Sequence, residues 1–64
     1  MLDNPFYDFA FCLFAVLREN HAPFYLRADL MRARGRAQTQ LSPADYERAI
    51  EVAHRANDYV RCHH

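Results

Sequence analysis

An all-α fold of three helices is what the sequence predicts, and three observations predict it. Each of the three prolines, Pro5, Pro23 and Pro43, opens a segment whose apolar residues recur at helical spacing. The single glycine, Gly35, stands where the second segment would stop. The apolar run from Pro5 to Leu17 does not alternate as a half-buried strand does and exceeds the usual strand length, and no internal repeat or linker divides residues 1–64, so they read as a single helical domain.

The first helix is expected at about 5–19, with Asn4 as N-cap, Pro5 in the first position and Asn20 as the stop. Eleven of the thirteen residues from Pro5 to Leu17 are apolar, and five of the nine aromatics of the chain lie there. On a helical wheel Phe6, Phe9, Leu13 and Val16 form one stripe, and Tyr7, Phe11, Phe14 and Leu17 form a second. Asp8, Cys12, Ala15 and Glu19 make the third face. A surface helix of a small domain needs one apolar stripe, so this one carries more than its own domain can cover. The run is too short for a membrane span, which needs roughly 20 apolar residues, and it contains Asp8. No basic residue precedes it, so it does not read as a signal peptide either, and a cytoplasmic location is the default expectation.

The second helix is expected at 23–35, with Phe24, Arg27, Ala28 and Met31 sharing a face and Leu26 and Leu30 adjoining. Arg32 and Arg34 then suit the negative end of the helix dipole, Gly35 is the C′ residue, and residues 36–40 form a polar loop. The alternative runs the helix through Gly35 to about 38, at a cost of only ~1 kcal/mol for an interior glycine. The third helix, 43–61, has the clearest start. Ser42 is its N-cap, Asp45 stands at N3, and Leu41 and Tyr46 occupy the positions of a hydrophobic staple. Its apolar stripe runs Tyr46, Ala49/Ile50, Ala53, Ala56 and Val60, small enough in the middle to let the first helix approach. Glu51–Arg55, Arg55–Asp58 and Asp58–Arg61 have the spacing of ion pairs on the outer face.

Composition narrows the function. A chain of 64 residues buries about 60% of its unfolded surface, and domains this small lean on disulfides, metals or association. Cys12 and Cys62 make no disulfide framework, and Cys12 reads as a small core residue. Cys62-His63-His64 matches no zinc signature, and His54 lies about 11 Å up the helix. No nucleophile motif, phosphate-cradling loop or carboxylate pair is present, and His54 with Asp58 lacks a third partner, so no enzyme, cofactor or metal is expected. Association remains. Tyr7, Phe11, Phe14 and Leu17 are the expected dimer or partner interface. The protein reads as a non-enzymatic interaction module, a homodimeric regulator or inhibitor that binds a larger protein partner. Arg27, Arg32, Arg34 and Arg36 would contact that partner.

The competing expectation is a helix-turn-helix-like DNA-binding regulator, with the same arginines and Gln38 and Gln40 on nucleic acid. Against it stand a zero net charge, the length from Gly35 to Ser42, and Asp45, Glu47 and Glu51 at the end that would meet the bases.

Overall fold

The computed structural model describes residues 4–63 and contains three helices: α1 (Pro5–Leu17), α2 (Phe24–Gln40) and α3 (Pro43–Cys62). The Asn4 side chain accepts the Phe6 N–H at 2.8 Å, and Ser42 Oγ accepts the Asp45 N–H at 3.2 Å, so both expected N-caps form. Leu41 and Tyr46 are half-buried against the core, as a staple requires. α1 ends two residues before the expected 19. Its last turn tightens at Arg18, and the Glu19 N–H reaches back three residues to Val16 O at 3.1 Å, which leaves Asn20 outside the helix.

α2 corrects the sequence reading most. It starts at Phe24, because Pro23 stays extended and serves as the cap, and it passes through Gly35 to Gln40. No glycine here has a positive φ, so Gly35 is not a C′ residue and 36–40 is not a loop. Packing carries the helix past the glycine: Ala33 and Ala37, on either side of it, are fully buried in the core. Thr39 Oγ donates to Arg36 O at 2.9 Å within the last turn. A Cβ at Gly35 would meet nothing within 4 Å. Gly35→Ala should therefore stabilise the fold by about 0.5–1 kcal/mol, seen as a higher urea midpoint with an unchanged slope.

α1 lies against both other helices, which touch each other far less than they touch it. Phe9 and Ala10 of α1 meet Ala33 and Ala37 of α2 and Ala49 of α3. Ala49 of α3 packs with Phe9 of the first stripe, whereas Ala53 and Ala56 border Tyr7, Phe11 and Phe14 of the second. Phe9, only 2% exposed, stacks on Tyr46 with ring centroids 5.0 Å apart and planes within 8°. α3 runs one residue past the expected 61. Of its three expected outer pairs only Glu51–Arg55 forms, at 3.1 Å; Asp58 pairs with neither Arg55 nor Arg61.

The inward face of α2 is Leu30, Ala33 and Ala37, with Leu26 half-buried. Phe24 and Met31, expected to share a face that Leu26 and Leu30 adjoin, point outward at 77% and 65% exposed. Alanines let the two helices come closer than those larger side chains would, and close approach is what Asp8 requires.

Candidate interaction surfaces

Asp8 is the one carboxylate in the apolar run, and it is 3% exposed. An ionised group so placed must be paired and hydrogen-bonded. Arg32 supplies a two-pronged contact, Nη1 to Oδ2 at 2.9 Å and Nη2 to Oδ1 at 3.2 Å, and Arg36 Nη1 adds a third bond to Oδ2 at 3.3 Å. The two arginines are one helical turn apart on α2, so both reach the same carboxylate. Arg32 Nε also lies 3.9 Å from Asp29 Oδ1. The Cys12 thiol completes the cluster, 3.8 Å from Asp8 Oδ1 and 3.9 Å from Arg32 Nη2.

Charge follows from this geometry. The hydrogen bond from Arg32 holds the Asp8 carboxyl below the usual carboxylate range, against burial, which pushes it up; Arg36 adds to the lowering. Burial first, and the Asp8 charge second, push the Cys12 thiol up, so it stays protonated. An Asp with a depressed folded pKa stabilises the fold above its unfolded value of about 3.9 and loses that contribution as pH falls through the folded value. Thermal midpoints should thus fall below about pH 4 in the wild type. In Asp8→Asn the midpoint should be lower at neutral pH and the acid-side drop shallower. Melting curves followed by circular dichroism across pH 2–7 (range set by about pKa 3.9) check both.

The sequence reading thus placed Arg32 and Arg36 on a partner, whereas both reach inward to Asp8. Arg27 and Arg34 are exposed and pair with no carboxylate among the described residues.

The second stripe of α1 is outward only in part. Tyr7 and Phe11 are 61% and 63% exposed, and Phe14 is half-buried. Beside them a shallow groove of about 340 Å³ runs between α1 and α3, walled by Tyr7, Phe11, Phe14, Val52 and Ala56 over a floor of Ala10 and Ala53. No charged residue lines it. Leu17 leaves this face. It lines a separate, more polar cleft with Arg18, Asn57 and Arg61. Val52, on α3, completes the exposed apolar surface, and the sequence pattern of α1 alone did not point to it.

His63 stacks on Tyr59 with centroids 4.0 Å apart, and its Nδ1 lies 2.9 Å from Tyr59 O; His64 lies outside the described residues. Among the described residues no helix is long and apolar enough to cross a membrane, and no three or more His, Cys, Asp or Glu side chains gather as a metal site. Compared with known protein families, curated proteins and solved structures, the chain matches none.

Proposed function

We propose that this protein is a non-enzymatic interaction module that pairs with a second copy of itself through the outward face of α1, and in that form regulates or inhibits a larger protein in the cytoplasm. The observation that carries the reading is the placement of Tyr7 and Phe11, more than half exposed, beside a groove with no charged residue in its wall. Soluble chains rarely leave aromatic surface of that kind open to water unless it binds something.

Shape supports a second copy as the occupant, because one face offers both an aromatic ridge and a trough floored by alanine. A two-fold contact requires a ridge and a trough of this kind on the same face. The test is the solution mass of wild type against Phe11→Asp by light scattering: two chains against one.

A DNA-binding reading gains one point, because the Leu41-Ser42 connection between α2 and α3 is short, not the long loop first expected. It loses two of its four contact arginines to Asp8, and Asp45 and Glu47 still open α3. The interaction module is the better-supported function.

A further inference from the structure

We infer that the outward stripe of α2, Phe24–Arg27–Met31–Arg34–Gln38, is a second docking surface, whose occupant is an acidic amphipathic segment of another protein. It extends the proposed function by giving the larger partner a place and a chemistry, and it uses none of the residues of the α1 face. The spacing sets all five residues on one side of the helix, about 120° round from Ala33 and Ala37; Gln38, at the end of the stripe, also donates to Tyr46 Oη at 3.4 Å. All five are exposed.

Charge decides the occupant. α2 carries four arginines, and they fall into two pairs. Arg32 and Arg36 are matched by Asp8 and Asp29. Arg27 and Arg34 have no carboxylate within reach among the described residues, and both lie on this stripe. In a chain of zero net charge, an unmatched cationic strip on one helix face calls for carboxylates from elsewhere. Phe24 and Met31, two turns apart, alternate with the arginines, and Phe, Met and Arg are the side chains enriched at interface cores. Ala28 and Gly35 border Phe24 and Met31 and leave room for apolar side chains of the partner to come close; nothing lies within 4 Å of a Cβ built at Gly35. A fitting partner therefore presents carboxylates one turn to either side of apolar residues spaced two turns apart, as an amphipathic helix does. A nucleic acid would also satisfy Arg27 and Arg34, and duplex DNA is therefore one arm of the test.

A synthetic helical peptide with leucines two turns apart and glutamates between them is the probe, titrated into the full chain by fluorescence anisotropy. The same peptide with serine for leucine, and generic duplex DNA, are the comparisons. Arg27→Glu combined with Arg34→Glu should weaken the leucine peptide by about tenfold or more, and Phe24→Ala with Met31→Ala should weaken it several-fold. Circular dichroism should be unchanged, because all four side chains are outside the core. The inference is overturned if the leucine peptide does not bind, if the serine peptide binds as well, or if charge reversal has no effect. Tighter binding to duplex DNA, lost in the arginine double variant, would assign the strip to nucleic acid and overturn it equally. Phe11→Asp leaves this binding intact whether or not it changes the solution mass, so the two surfaces stand or fall separately.

Discussion

Phe11→Asp should give a folded chain of half the wild-type solution mass if the proposed pairing through α1 holds. Phe11 is more exposed than buried, so a carboxylate there costs the isolated fold little beyond the lower helix propensity of aspartate, about 0.7 kcal/mol or less. In the pair the same carboxylate would be closed into a groove that offers it no cation. Burying a charge without a partner costs several kcal/mol, and ~3 kcal/mol already weakens association by more than about a hundredfold. Circular dichroism and light scattering on one sample separate the two effects. A variant that keeps both its helicity and the mass of two chains would remove the α1 face from the interface.

Phe9→Ala, two residues away, has the opposite signature: it unfolds the chain. Phe9 is enclosed by all three helices and stacks on Tyr46. Phe-to-Ala substitutions at such sites cost about 3–5 kcal/mol. At 0.05–0.15 kcal/mol per residue, a 64-residue chain has a total of roughly 3–10 kcal/mol to lose. The variant should melt far below the wild type or show no cooperative transition. Phe11→Ala, by contrast, should shift the isolated fold by less than ~1 kcal/mol. Equal losses at the two positions would mean that the inward and outward faces of α1 have been misassigned.

Part of that division of α1 into faces was readable from periodicity: Phe9 turned inward, and Tyr7 and Phe11 stayed outside. Phe14 and Leu17, of the same stripe as Tyr7 and Phe11, are half-buried, and Asp8, assigned to neither stripe, is buried. The caps at Asn4 and Ser42 were equally plain, since their chemistry is local. The reading failed where local and tertiary preferences disagree. Gly35 carries a strong local stop signal, and the burial of Ala33 and Ala37 on either side of it overrides that signal. The Asp8 cluster had a signal that went unused: an acid inside an apolar run must find cations, and Arg32 and Arg36, one turn apart, were the pair able to supply them. Taking those two for surface contacts also hid the exposed strip of Arg27 and Arg34 on the same helix.

Intermolecular NOEs in a one-to-one mixture of isotope-labelled and unlabelled chains would show whether a second copy covers the α1 face. Cross-peaks are expected between the Tyr7 and Phe11 rings of one chain and the Val52 and Ala56 methyls of the other, lost in Phe11→Asp. An absence of intermolecular cross-peaks at these residues, or cross-peaks confined to Phe24 and Met31 of α2, would contradict the proposed pairing.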